Sequence, residues 1–147
     1  MLSPSLEDYL EEIYRLSLWK DKIRVTDIAN QLNVSLPSVV NALKKLNNEN
    51  YICYEPHSEI TLTREGKKLG KLLVKRNAML QDFLKTINSN CDIAKEAEAM
   101  EHYLSSSTIL AIERLLKFLK SKPIKSMFAQ QNKPNAKKHW SKDIESL

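Results

Sequence analysis

The most chemically loaded stretch of the chain is the pentad Glu98-Ala99-Met100-Glu101-His102. On a helix, Glu98 faces Glu101 at i+3 and His102 at i+4, so two carboxylates and an imidazole converge beside the apolar stripe of Ile93, Ala97, Met100 and Leu104. Carboxylate oxygens with one imidazole suit a divalent ion such as Mn²⁺ or Fe²⁺, and the lack of thiolates in the pentad argues against a structural zinc site. The same E-x-x-E-H pattern is common on solvated helix faces, so by itself the pentad leaves both readings open. A second acidic group, Glu7, Asp8, Glu11 and Glu12, lies near the N-terminus, with Asp8 and Glu11 sharing a face at i, i+3. Its ordinary explanation is an acidic first turn that complements the helix dipole. A carboxylate-bridged di-metal enzyme would need Glu-x-x-His on two helices, whereas His102 has Ala99 three residues before it and no second copy exists. No nucleophile–base pair is recognisable, and with 2 glycines there is no phosphate-cradling loop, so the chain does not read as an enzyme.

These groups need helices to hold them, and the sequence supplies several. Ser3–Leu18 reads as an amphipathic helix with Ser3 as cap, Pro4 in the first turn, and Leu6, Leu10, Ile13 and Ser17 along its stripe. After a charged connection at residues 19–23, Arg24–Tyr54 reads as two short helices and a tight joint. Ile28, Ala29 and Leu32 form the inner face of the first, and Val39, Val40, Leu43 and Leu46 that of the second. Asn33-Val34-Ser35 ends one helix and caps the next, with Pro37 in the first turn. A β-prone run at Tyr51–Tyr54, a polar turn and Ile60–Thr63 then form a short hairpin. A helix-turn-helix followed by a hairpin is a winged helix, an architecture that reads DNA; an ordinary αα-hairpin is the bland alternative.

Thr63 caps a long helix to about Ile87, whose first half carries Arg64, Lys67, Lys68, Lys71, Lys75 and Arg76. A solvated basic face explains these lysines as simply as phosphate contact does. Asn88-Ser89-Asn90 interrupts, Asp92–Leu104 resumes the helical pattern, and Thr108–Leu119 is a further helix with Ile109, Leu110, Ile112, Leu115, Leu116, Phe118 and Leu119. That is more apolar surface than one neighbour needs. It suggests a subunit interface, through which a repressor dimer would span half-sites about 34 Å apart; a wholly internal core is the alternative. From Ser121 the composition turns to Lys, Asn, Gln and Ser, which reads as a poorly ordered basic tail. The expected organisation is a mainly α fold: winged helix-turn-helix with a small β-hairpin wing over 1–63, a linker helix over 64–88, a helical dimerisation and metal-binding region over 89–120, and the tail over 121–147.

The net charge of +5 is less informative than its distribution. Residues 1–119 hold 16 basic and 16 acidic residues; within them residues 1–34 carry −2, residues 35–76 carry +4, and residues 77–119 carry −2. A basic middle suits a phosphate-contacting module, and two acidic flanks call for a cation. No apolar run is long enough to cross a bilayer and the N-terminus carries no secretory signal, so the expected location is cytoplasmic, without a membrane partner. Cys53 and Cys91 form no C-x-x-C pair and read as reduced thiols, with Cys53 packed under the hairpin.

The order SPSLEDYLEEIYRL, a helix-turn-helix with SLPSVV, ITLTREGKKLGKLLVKR and AEAMEHYLS resembles the diphtheria-toxin-repressor family, closest to its short manganese-transport-regulator branch. The resemblance runs over roughly residues 3–119, nearly without gaps. It implies a homodimeric winged-helix repressor that binds double-stranded operator DNA when a divalent metal is present, with Mn²⁺ favoured and Fe²⁺ the other candidate. Carried over by position, it implies Asp8 and Glu11 of the first helix and Glu98, Glu101 and His102 of the pentad as metal ligands. One position departs: where the family places a ligand histidine this chain has Asn77. An amide oxygen binds a hard ion more weakly than imidazole binds later transition metals. The departure leaves open a single metal, an altered selectivity or affinity, or a metal-independent winged-helix regulator. Four carboxylates gathered without a cation would repel one another, which argues for a retained ion.

On this reading the second helix of the motif enters the major groove. Ser35, Pro37, Ser38 and Asn41 lie nearest the bases, Lys44 and Lys45 nearer the backbone, and His57 at the wing tip meets phosphate or sugar.

Overall fold

Most of the amphipathic stripes find a partner, and one long helix carries both of the cores that result. The computed structural model describes residues 2–56 and 58–121. The order is α1 (Pro4–Ser17), α2 (Val25–Leu32), α3 (Leu36–Asn48), β1 (Ile52–Cys53), β2 (Thr61–Leu62), α4 (Arg64–Thr86), α5 (Ile93–Tyr103) and α6 (Ser106–Leu119). All the expected elements are present, with α6 starting two residues earlier than its apolar pattern suggests. His57 and the basic tail from residue 122 lie outside the described residues.

Side-chain caps set most of the helix starts. Ser35 accepts from the Ser38 N–H at 3.3 Å, Thr63 from Gly66 at 3.0 Å, Asp92 from Lys95 at 3.3 Å, and Ser105 from Thr108 at 3.2 Å. Ser3 occupies the cap position of α1 but makes no side-chain bond there, so Pro4 alone shapes that start. The left-handed stops are all asparagine: Asn33, Asn50 and Asn88 at φ 51°, 60° and 55°. Asn tolerates this region better than other side chains, so the chain ends its helices without spending glycine on them.

The first core gathers Leu10, Ile13 and Leu16 of α1, Ile28 of α2, Val39, Leu43 and Leu46 of α3, with Ile52, Ile60 and Leu73. Burying each such side chain is worth about 1.5–3 kcal/mol. The expected stripe of α1 is one position out at its end: Leu16 is buried, while Ser17 is exposed and donates its hydroxyl to the Tyr14 carbonyl at 2.6 Å. The wing is antiparallel, Ile52 opposite Leu62 and Cys53 opposite Thr61. Strand alternation turns Ile52 inward and Cys53 to solvent, so the expectation of a packed Cys53 thiol is corrected. Ile23 bridges Ile60, which gives the connection before α2 a strand-like end. The Asn47 amide oxygen accepts from the Tyr54 N–H at 2.9 Å and ties α3 to the wing.

The second core is smaller: Leu80 and Leu84 of α4 and Ala97 of α5, flanked by Met79, Ile87, Ile93, Met100 and Ile112. Helix α6 buries Ile109 and Leu116, while Leu110, Leu115 and Phe118 stay 57%, 46% and 60% exposed. Among the described residues no helix is long and apolar enough to cross a membrane.

Candidate metal centre and nucleic-acid interface

Both α1 and α5 pack against α4, and that shared neighbour brings the acidic start of the chain to the pentad. His102 Nε2 lies 2.8 Å from Asp8 Oδ1 across 94 residues of sequence. Asp8, Glu98 and His102 each present a ligand atom within 4.8 Å of the others. Burial lifts the Asp8 carboxyl above its ordinary range; His102 pulls it back, and Glu98 and Glu11 push it further up.

Glu101 lies beside this cluster and is only 3% exposed. Its Oε2 accepts from Asn77 Nδ2 at 3.2 Å, and its Oε1 stands 3.9 Å from Arg76 Nε. Arg76 Nη2 also donates to the Glu101 carbonyl at 3.0 Å. Burial first, and the neighbouring Glu11 second, push the Glu101 carboxyl up to about 7, with Asn77, Arg76 and His102 opposing. Asn77 is itself buried, and its Oδ1 accepts from Gln81 Nε2 at 2.7 Å. Glu11 is held by the Arg15 guanidinium one turn on.

Of the six positions named from sequence, Asp8, Glu98 and His102 therefore meet directly, and Glu101, Asn77 and Glu11 lie next to them. The donor set fits a divalent cation. Asp8, Glu98 and His102 bring two carboxylates and an imidazole together, the ligands a borderline-hard ion takes. His102 Nδ1 stands 3.9 Å from Glu7 Oε2, the kind of carboxylate that orients a ligating imidazole from behind. Sequence reading took Glu7 as solvated and gave Arg76, Arg15 and Gln81 no part. Arg15 and Gln81 carry a weak signal, since each stands at i+4 from its partner, but nothing local announces that Arg76 turns to α5.

On the opposite side, α3 buries Val39, Ala42, Leu43 and Leu46, leaving Ser35, Pro37, Ser38, Asn41, Lys44 and Lys45 exposed together. Ser35 and Ser38 share a hydroxyl hydrogen bond at 2.8 Å, so both are held at the helix start. Between α3 and the wing runs a groove lined by Lys44, Val40, Tyr54 and Pro56, and also by Lys22, Arg24 and Thr26. Sequence reading gave those last three no part: Lys22 fell in the charged connection, and Arg24 and Thr26 at the start of the helix-turn-helix stretch. Their cationic and hydroxyl groups suit phosphate.

Residues 1–60 match the family model described as iron dependent repressor, N-terminal DNA binding domain, and residues 63–127 match iron dependent repressor, metal binding and dimerisation domain. The HTH-type transcriptional regulator MntR of Lysinibacillus sphaericus (strain C3-41) is 38% identical over 138 residues, 92% of this chain and 99% of that protein. MntR of Bacillus subtilis (strain 168) is 40% identical over 119 residues, 80% of this chain and 84% of that one. Among solved structures, the manganese regulator SloR superposes with a TM-score of 0.69 at 30% identity, covering 80% of this chain and 55% of that chain. The metal-dependent transcriptional regulator MtsR gives 0.70 at 28% identity, again over 80% and 55%. The chain thus spans little more than half the length of the solved regulators it matches. It belongs to the iron-dependent repressor family, whose members are metal-responsive DNA-binding transcriptional regulators and not enzymes.

Proposed function

We propose that the protein is a homodimeric cytoplasmic repressor of metal-ion homeostasis genes, binding operator DNA when Mn²⁺, or alternatively Fe²⁺, is held between α1 and α5. The observation that carries this is the convergence of Asp8, Glu98 and His102 within 4.8 Å from opposite ends of the described chain. The names of its relatives support manganese and the family description supports iron, while the oxygen-rich donor set suits either. Asp8, Glu98 and His102 would hold the ion directly, with Glu11 and Glu101 adjoining. The bound cation supplies the positive charge that this cluster of carboxylates lacks.

The rest follows from where α1 sits. Its inner face packs with α2 and α3 in the first core, while its Asp8 edge meets α5. Holding Asp8 against Glu98 and His102 therefore fixes the DNA-reading face relative to the helices α5 and α6. The gain in DNA affinity equals the difference in metal affinity between the DNA-competent arrangement and the others. In that arrangement Ser35, Pro37, Ser38 and Asn41 face bases, with Pro37 and Ser38 suited to thymine methyls and Asn41 to adenine; Lys44 and Lys45 face phosphate, as His57 of the wing tip would. This division assigns residues 1–63 to DNA, 64–88 to the linker, 89–120 to metal and dimerisation, and 121–147 to a basic tail.

Fluorescence anisotropy of chelator-treated protein on AT-rich promoter DNA from its own genome tests the reading, with and without Mn²⁺, Fe²⁺, Co²⁺ and Zn²⁺ at one salt concentration. Tight binding that requires metal is expected, and equal binding in chelator would sink it.

A further inference from the structure

Four carboxylates and one imidazole meet at the centre, but their charges are not equally free. Glu11 is paired with the Arg15 guanidinium. Glu101 has Arg76 Nε at 3.9 Å from one oxygen and the Asn77 amide nitrogen at 3.2 Å from the other. Asp8 and Glu98 have neither arginine nor lysine against them among the described residues; Asp8 has only His102, at 2.8 Å. Two carboxylates without a guanidinium or ammonium partner, beside one imidazole, match one divalent ion. A second ion at Glu101 and Glu11 would sit against the guanidinium groups of Arg15 and Arg76.

The orientation of Asn77 points the same way. A Glu101 able to ligate an ion must be ionised and can then only accept, and its Oε2 already accepts from Asn77 Nδ2 at 3.2 Å. The Asn77 oxygen is then turned from Glu101 and occupied by Gln81 Nε2 at 2.7 Å. Rotating the amide to offer its oxygen to an ion would set that oxygen against the Glu101 carboxylate and break the Gln81 bond. Both losses fall on a side chain only 6% exposed, where an unmet polar group is costly.

We propose that each protomer takes one divalent ion, at Asp8, Glu98 and His102, and that Asn77 is a hydrogen-bond donor to Glu101 and not a ligand. This rests on the metal-sensing reading above. Asn77 and Arg76 occupy the side of Glu101 that a second cation would need, and Asn77 sets the ion count by presenting N–H where a lone pair would be needed.

The test is the number of Mn²⁺ ions bound per protomer by full-length, chelator-treated protein, read by equilibrium dialysis with elemental analysis. Mn²⁺ electron paramagnetic resonance on the loaded sample reports whether ions are isolated or spin-coupled. One isolated ion per wild-type protomer is expected, and two ions in Asn77→His, which replaces the donor with a nitrogen lone pair. Two coupled ions in the wild type would overturn the proposal while leaving metal sensing intact. A count that stays at one in Asn77→His would overturn Asn77 as the determinant. No bound Mn²⁺ in the wild type would remove the metal reading itself. The wild-type count and spectrum decide the main question even where the histidine variant does not fold.

Discussion

Burial, with Glu11 close by, lifts the Glu101 carboxyl from an ordinary 4.5 to about 7. The folded metal-free protein therefore holds a proton there that the unfolded chain has already released. The stability Glu101 contributes is fully present below about pH 4.5 and is lost as pH rises through about 7. Asp27 runs the other way: the Lys20 ammonium lowers its carboxyl below 3.8, so its contribution is present above that value and lost only in acid. Between pH 5 and 7.5 the melting temperature of metal-free protein should fall, and Glu101→Gln should flatten that fall. Differential scanning fluorimetry in chelator reads this directly; an equal slope in the variant would place the titrating group elsewhere. Mn²⁺ binding should correspondingly release protons below about pH 7, visible as buffer-dependent heat in calorimetry. None of this was readable from residue types. The pentad named Glu101 as a candidate ligand, but its burial and its pairing with Asn77 and Arg76 depend on α5 lying on α4.

At the level of elements, the two glycines of the chain have a shared task. Gly66 and Gly70 stand one turn apart on α4. A Cβ on Gly66 would lie 1.8 Å from the Tyr51 carbonyl oxygen, and one on Gly70 would lie 2.6 Å from Tyr14 Cβ. Elsewhere in a helix Gly→Ala gains about 1 kcal/mol; here overpacking should reverse the sign and cost about 1–3 kcal/mol in Gly70→Ala, and more in Gly66→Ala, where backbone is struck. Thermal melts check this, and a stabilised Gly70→Ala would mean α1 and α4 can spread. The G-x-x-x-G spacing was visible in ITLTREGKKLGKLLVKR, but which neighbours approach it was not. Helix α3 offers a separate check. Lys44→Ala should weaken all DNA alike and lower the salt slope by about 1, whereas Asn41→Ala should relax base preference. Anisotropy on specific and scrambled duplexes across salt separates them, and identical behaviour would defeat the assignment of α3. The exposed polar face of α3 was readable because helical period and caps are local properties; Val40, expected on the inner face, instead lines the groove, and Ala42 takes its buried place.

For the whole molecule, the excess apolar surface of α6 is the feature to follow. Leu110, Leu115 and Phe118 remain exposed in a single chain although Ile109 and Leu116 are buried. This matches the dimerisation domain of the family. Phe118→Glu should shift the protein toward monomer in light scattering after size-exclusion chromatography. Loss of the second half-site should then cost DNA affinity about a hundredfold or more. A variant that stays dimeric would move the interface to another face.

The sequence by itself determined the helices, most of their caps, the wing, the exposed polar side of α3 and the carboxylate and imidazole types of the centre. Each of these is written in periodicity, in a cap residue or in a short motif. Only the tertiary structure decided which carboxylates stand free and which already have a cation, that Asn77 turns a donor to Glu101, and that Lys22 and Arg24 join the groove beside α3. Those facts arise from contacts between segments far apart in the chain, such as Asp8 with His102 across 94 residues, and no local pattern encodes which side chain will be waiting there.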